Sequence, residues 1–305
     1  MLGEVSTDHR SGFVALVGAP NVGKSTLLNA YVGEKVAIVS PKPQTTRRQL
    51  RGILTIPQAQ IIFVDTPGIH KPVHKLGEFM VTVATRTVPD ADLILFLVSL
   101  ASPSPTQEDR QVADLLRKHA GCPVFPVINK VDLVAPENRE ERLAAYAALG
   151  SFEREFVISA TRGDGRDDLL QAIVEQLPPG PRYYAPDQTT NQSERFIASE
   201  LIREQALHIL REEVPHGLEV VVEEWKDRPS GLLYIGANLY LERGSHKRIV
   251  IGHHGSMLKR IGQASRKELE RFVQRRVYLD LWVKVRPKWR RRASDLRWMG
   301  YVVRN

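Results

Sequence analysis

The chain has 305 residues, 42% hydrophobic and 26% charged, with a formal net charge of +8 and one cysteine, Cys122. That length has room for about two domains, each with its own core, and a lone cysteine excludes an internal disulfide. Residues 1–180 carry 19 Lys and Arg against 20 Asp and Glu, whereas residues 181–305 carry 24 against 15, so the basic excess lies wholly in the C-terminal part and points to a polyanionic partner for that part alone. The most apolar stretch, Leu93 to Ala101, is roughly half of what a membrane-spanning helix needs. Met1 to Val5 lacks the basic-then-apolar order of a signal peptide, so no anchor or leader is expected.

The apolar run Phe13 to Val17 reads as a buried strand, and it leads into Gly18, Ala19, Pro20, Asn21, Val22, Gly23, Lys24 and Ser25. This is a G-x-x-x-x-G-K-[ST] loop with a helix beginning at Ser25 and Thr26. The glycines let successive backbone N–H groups converge on phosphates, and the helix adds its positive dipole end. Lys24 is expected at the β- and γ-phosphates and the Ser25 hydroxyl on Mg²⁺.

Pro41 to Arg48 is polar, broken by proline and flanked by strand-like stretches, and it reads as a mobile loop. A hydroxyl there completes a Mg²⁺ shell only when GTP is bound, which is an order–disorder switch. Thr46 is the first choice for that hydroxyl and Thr45 the second. The next strand, Ile61 to Val64, ends in Asp65, Thr66, Pro67 and Gly68. Here Asp65 is placed to hold Mg²⁺ through water, and the Gly68 N–H to approach the γ-phosphate. Ile69 then occupies the position where Ras-like enzymes carry a water-orienting glutamine, so slow intrinsic hydrolysis is expected and no catalytic base is assigned.

Val124 to Ile128 form a further strand, running into Asn129, Lys130, Val131 and Asp132. The Asp132 carboxylate can accept from the guanine ring N–H and exocyclic amine, a pair that adenine does not offer in that geometry, so the base is read as guanine. Asn129 is expected to brace the loop and Lys130 to lie along the base. Glu155 to Ile158 deliver Ser159, Ala160 and Thr161, with the N–H groups of Ser159 and Ala160 expected at the guanine oxygen. The order of these elements predicts an α/β, doubly wound, mostly parallel sheet over residues 1–180 and a GTPase using GTP or GDP with Mg²⁺ held by Ser25, Thr46 and Asp65.

A helix over Asp167 to Leu177 ends in Pro178 to Pro181, and the polar stretch to Gln192 reads as a linker, 181–192. Ser193 is placed as the N-cap of an amphipathic helix ending near Pro215 and Gly217. Two strand-like runs follow, Leu218 to Trp225 and Leu232 to Leu241, separated by Asp227 to Gly231. A third apolar segment, Lys247 to Ile251, comes before Gly252, His253, His254 and Gly255; then a helix over Ser256 to Gly262, another through Arg276, and an alternating strand, Val277 to Val285. A G-x-x-G turn opening a helix, set among Lys259, Arg260 and further basic residues, with Lys288 in the basic tail, resembles a KH domain, in which such a turn clamps about four nucleotides. Trp289 is left between stacking on an unpaired base and burial against the sheet. The second domain is therefore expected as a smaller α+β KH-type RNA-binding unit, 193–305.

Taken together, the phosphate loop, Asp65 to Pro72, Gln44 to Arg47, Asn129 to Asp132 and Ile251 to Gly255 resemble the Era family of bacterial GTPases, as do Glu212 to His216, Leu281 to Val285 and Leu296 to Tyr301. The resemblance covers nearly the whole chain. It implies GTP hydrolysis coupled to small ribosomal subunit assembly, binding near the 3′ end of the small-subunit rRNA, a monomer, and a cytoplasmic location with some peripheral association at the inner membrane. It also implies that Asn21 helps to hold K⁺ against the phosphates. The pair His253 and His254 departs from the family, whose members often carry a lysine in this turn. Two other readings of the chain are a GTPase whose basic domain binds membrane headgroups or a protein, and a nucleotide-gated RNA-binding module with negligible turnover.

Overall fold

A computed structural model describes residues 9–302 except 151, 153 and 230. The Met1 to Val5 segment read above, and Ser230 in the turn after Asp227, lie outside the described residues. The chain divides into two compact units. The first takes in the residues up to Val39, Thr46–Val73 and Gly77–Asn191; the second takes in Ser40–Thr45, His74–Leu76 and the chain from Gln192 onward.

In the first unit the strands are β1 (Arg10–Gly18), β2 (Leu50–Ile56), β3 (Ala59–Asp65), β4 (Leu93–Ser99), β5 (Val124–Asn129) and β6 (Phe156–Val157). They form one sheet in the order β2-β3-β1-β4-β5-β6. Every pairing is parallel except that of β2 with β3. Strands β1, β3 and β4 are buried along nearly their whole length, as continuous apolar runs require when helices cover both faces. The helices are α1 (Lys24–Val32), α2 (Lys75–Thr87), α3 (Gln107–His119), α4 (Arg139–Ala147) and α5 (Arg166–Gln176). The strand order reverses beside β1, so the crevice at the carboxyl ends of β1, β3 and β5 is where a ligand belongs in this topology. Residues 36–39 adopt no strand, so of the two strand-like flanks expected around the switch loop only β2 forms.

The segment expected as a linker is bonded to this unit. The Gln60 amide, fully buried on β3, accepts from the Tyr183 and Tyr184 N–H groups at 2.7 and 2.9 Å and donates to the Tyr184 carbonyl at 2.9 Å. Nearby, the Ile53 N–H donates to the Thr189 carbonyl at 2.8 Å and the Thr190 hydroxyl to the Arg51 carbonyl at 2.7 Å. The segment thus supplies partners to the free edge of β2 and needs no apolar periodicity to be held.

The second unit contains α6 (Glu194–Ile209), β7 (Glu219–Asp227), β8 (Leu233–Leu241), α7 (Gly244–Ile251), α8 (Ser256–Val273), β9 (Val277–Val285) and α9 (Ala293–Trp298). Strand β7 pairs antiparallel with β8, and β9 pairs parallel with β8, a crossover that needs the intervening helices α7 and α8. One face of the sheet, with Ile235, Ala237, Leu239, Val277 and Val283, shares a core with Ile197, Leu201, Ile202, Ile261 and Leu269 of the helices. The alternation expected along β9 holds from Val277 to Val283, with Tyr278 and Trp282 exposed on the other face, and lapses at Val285, which is exposed. Ser193 caps α6 by accepting from the Phe196 N–H at 3.3 Å. That helix ends at Ile209, six residues before Pro215, because the Leu210 to Val214 stretch leaves the helix to reach β7. Two further differences are that Lys247 to Ile251 belongs to helix α7, and that Ser256 to Val273 forms a single helix in place of two. Among the described residues no helix is long and apolar enough to cross a membrane.

Candidate nucleotide and nucleic-acid sites

Strand β1 delivers Gly18 to the switch point, and the loop to Lys24 turns back over it. Gly23 has φ +106°, and a Cβ there would lie 2.2 Å from Asn129 Nδ2, so only glycine fits. A Cβ on Gly18 would meet the Leu97 carbonyl at 2.3 Å, and one on Gly68 the Pro20 nitrogen at 2.6 Å. Lys24 is buried, and its ammonium donates to the Gly18 and Ala19 carbonyls at 3.0 and 2.7 Å. Burial pulls its pKa down to about 8, against the opposing pull of Asp65 and Asp109. A phosphate group brought to this ammonium would restore the charged form.

Three hard oxygen donors meet beside it. The Ser25 hydroxyl donates to Asp65 Oδ2 at 2.6 Å, Thr46 Oγ1 lies 2.9 Å from Ser25 Oγ, and the Thr46 hydroxyl reaches Asp65 Oδ2 at 3.3 Å. Asp65 is fully buried, and burial pushes its carboxyl up despite Lys24. Its second oxygen, Oδ1, is buried without a hydrogen-bond partner among the described residues. A hydroxyl pair and a carboxylate with an unused oxygen suit a small divalent cation such as Mg²⁺. Of the two threonines weighed from the sequence, the structure brings Thr46 to this cluster; the Thr45 hydroxyl donates to the Lys42 carbonyl at 2.6 Å.

The Thr66 hydroxyl donates to the Leu16 carbonyl at 2.7 Å, and the Ile69 N–H to the Gly18 carbonyl at 3.2 Å. Ile69, directly after the Asp65 to Gly68 motif, turns its side chain into the core with Ala15, Val17 and Phe96. Hydrophobic burial wins over exposure to a phosphate site. His70 Nδ1 is 2.9 Å from the Gly68 carbonyl.

At the end of β5, Asn129 ties three loops together. Its Nδ2 donates to the Val22 carbonyl at 2.8 Å and its Oδ1 accepts from the Ala160 N–H at 2.9 Å. Lys130, at φ +67°, donates to the Asn21 carbonyl at 2.6 Å. Val131 and Asp132 form a 3-10 turn, with Asp132 partly exposed. The N–H groups of Ser159 and Ala160, expected at the guanine oxygen, are engaged otherwise: Ser159 with the Asp164 carbonyl at 2.9 Å and Ala160 with Asn129. They hold the loop against β5. The Thr161 hydroxyl sits 3.2 Å from that of Ser159.

In the second unit, Gly252 (φ +73°) ends α7 and Gly255 (φ +77°) caps the start of α8. A Cβ on Gly252 would lie 2.7 Å from Met257 Cβ, whereas one on Gly255 would meet nothing within 4 Å. Between them His253 and His254 are exposed, their rings 4.0 Å apart edge to face, with His254 at φ +47°. Lys259 and Arg260 are exposed one turn into α8, and Lys288 is exposed at φ +55°. Trp289 is fully buried and donates to the Gly217 carbonyl at 2.9 Å, so of its two readings burial holds. The sequence reading did not reach Arg203, buried on α6 and bonded to the Thr45 carbonyl. Its signal was a cation on the helix face that carries Ser199, Ile202 and Ala206.

Two families match separate stretches of the chain. A G-domain family described as a 50S ribosome-binding GTPase matches residues 13–130, and the KH domain family matches residues 213–290. GTPase Era of Caldanaerobacter subterraneus subsp. tengcongensis is 52% identical over 97% of this chain and 99% of its own. GTPase Era of Thermotoga maritima is 50% identical over 92% and 93%. A crystal structure of Era in complex with MgGDPNP and nucleotides 1506–1542 of 16S ribosomal RNA superposes with a TM-score of 0.93 at 40% identity, covering 97% of this chain and all of that one. An Era variant of Aquifex aeolicus bound to GDP·AlF₄⁻ gives 0.90 at 38% identity, covering 96% and 100%. With a P-loop at the end of β1 in one unit and a G-x-x-G turn opening a helix in the other, the chain belongs to the Era family of GTPases.

Proposed function

We propose that this GTPase binds single-stranded RNA at the 3′ end of the small-subunit rRNA and acts in the cytoplasm on small ribosomal subunit assembly. The observation that carries the reading is the Gly252 to Gly255 turn, which opens the 18-residue helix α8 with exposed His253, His254, Lys259 and Arg260 around it. A helix N-terminus presents unpaired N–H groups to phosphates. The basic excess of residues 181–305 and the rRNA bound in the Era structure named above support the same partner.

In the nucleotide site, Lys24 supplies the buried charge for the β- and γ-phosphates, and Asp132 selects guanine. Ser25 and Thr46 would hold Mg²⁺, with Asp65 behind them through water. A cation held there would supply positive charge beside the phosphates against the charge that develops on transfer. The apolar side chain of Ile69 cannot orient an attacking water, which fits slow unaided turnover. Asn21 is the residue proposed to help hold K⁺.

The test replaces His253 and His254 with aspartates, which keeps both glycines while placing negative charge where phosphates belong. Binding of a synthetic RNA carrying the 3′-terminal small-subunit sequence should collapse and GDP binding should stay intact. For the parent protein, log affinity should fall with log salt at a slope of roughly −3, for about four clamped phosphates. A double variant that binds this RNA as well as the parent, or a salt-independent affinity, overturns the assignment. Selective binding to anionic vesicles in place of RNA would assign the basic domain to membranes.

A further inference from the structure

We propose that the outer face of the β7-β8-β9 sheet is a docking surface for a basic protein segment, which sets an arginine against the Asp280 carboxylate and the exposed ring of Trp282. Helices α7 and α8, which flank the Gly252 to Gly255 turn, pack on the opposite face. Strand register fixes the rows of the outer face: Tyr234 beside Tyr278, Gly236 beside Asp280, and Asn238 beside Trp282. Tyr278 is 58% exposed and Trp282 62%. Two large rings left in water on one strand face, with a carboxylate between them, form a contact surface rather than scattered exposure.

The other charges and rings of this face are already matched within the chain. Lys226 donates to Glu224 at 2.6 Å, and Lys284 Nζ lies 4.0 Å from Glu223. Arg228 covers Tyr234 at 4.9 Å from the ring centroid, and Arg286 covers Trp298 at 4.3 Å, where that indole meets Tyr240 edge to face. The middle of the face breaks this pattern. Asp280 Oδ2 accepts from the Tyr234 hydroxyl at 3.2 Å and from Trp282 Nε1 at 3.1 Å, which fixes the carboxylate. Among the described residues no cation pairs with Asp280 and none covers Tyr278 or Trp282. Gly236 adds no side chain to that row.

A carboxylate beside an open indole face is complementary to a cation, whereas a phosphate brought there would meet like charge. Arginine suits the place better than lysine, because its planar fork can bond Asp280 Oδ1 while its own face lies on the ring of Trp282. Tyr278 stands two residues from Asp280 along β9, about 7 Å away. An extended segment carries side chains on one face at the same spacing, so a second arginine two positions from the first would reach Tyr278. The occupant is thus an extended segment of the form Arg-x-Arg.

The test titrates the ¹⁵N-labelled full chain with the capped peptide Gly-Arg-Gly-Arg-Gly and with its citrulline counterpart, which keeps the shape and lacks the charge. Binding is read by NMR at the Trp282 indole N–H, assigned with Trp282→Phe. The arginine peptide should give a saturable shift with a Kd of about 1 mM, and the citrulline peptide should bind at least about tenfold more weakly. Asp280→Asn keeps an acceptor for Tyr234 and Trp282 and should lower affinity for the arginine peptide about tenfold, the effect of one charge-assisted bond. The same variant should bind synthetic RNA of the 3′-terminal small-subunit sequence within about twofold of the parent, since α7 and α8 lie across the sheet. Trp282→Leu, read at the backbone N–H groups of Tyr278 and Asp280, should lose about threefold or more. No saturable shift, equal binding of the citrulline peptide, or undiminished affinity in Asp280→Asn overturns the inference. Displacement of the peptide by oligouridylate, or a loss of RNA affinity in Asp280→Asn, would make the face an RNA platform and overturn it too. Self-association of the parent that Asp280→Asn abolishes would give the surface to a second copy of this chain and refute the separate partner.

Discussion

The contact between Gly23 and Asn129 gives a sharp test of how the base and phosphate subsites are joined. In Gly23→Ala the new methyl would lie 2.2 Å from Asn129 Nδ2, on a backbone at φ +106°. Holding the native loop path with alanine incurs two costs together. Keeping its path strains the alanine by about 1–3 kcal/mol. Moving Asn129 away breaks the 2.8 Å bond to the buried Val22 carbonyl, at about 1–3 kcal/mol. Without nucleotide the loop can relax, so the cost returns when phosphates require the native path. Nucleotide affinity should then fall by about 30-fold to about 10⁴-fold. Asn129→Ala removes the side chain that the methyl strikes, so the two changes must be strongly non-additive: on that background Gly23→Ala should cost only the strain, about 1–3 kcal/mol. Fluorescent GDP titration of the parent, both single variants and the double variant measures this. Additive losses, or a Gly23→Ala protein that binds GDP within threefold of the parent, would refute the reasoning.

Asp132→Asn exchanges an acceptor for an amide that also donates, so GTP affinity should fall while xanthosine triphosphate, whose ring oxygen takes that donor, should bind better; equal GTP affinity in the variant counts against guanine reading by Asp132. Ile69→Ala should leave hydrolysis within a few-fold, since its side chain faces the core, yet destabilise the first unit by about 2–4 kcal/mol from the lost packing. A large fall in turnover without a fall in thermal stability would place Ile69 at the phosphates after all. If K⁺ sits against the phosphates beside Asn21, turnover should be faster in potassium than in sodium buffer; identical rates remove that role.

The placement of these motifs is legible in the sequence because the doubly wound fold puts each at or just after the carboxyl end of a strand, and strand ends are marked by the switch from apolar runs to Gly, Asp and Asn. Gly18, Asp65 and Asn129 end β1, β3 and β5, while Lys24 and Ser25 open α1 and Asp132 lies in the turn after β5. Local propensity served less well in the second unit. Ile249, Val250 and Ile251 look like strand residues, but in α7 only Val250 is buried and Ile249 is half exposed, so tertiary context overrides their β-branched preference. What could not be read is the set of polar side chains that bond to distant backbone. Asn129 reaches Val22 across 107 positions, Gln60 reaches Tyr183 across 123, and Arg203 reaches Thr45 across 158. No periodicity records such a pair, because each is one donor and one acceptor fixed by the packed fold. These bonds set the path of the loops that carry the reacting groups. It follows that substitutions at the motif residues test only what the site does. Substitutions at Gly23 and Asn129 test how the fold holds it in place.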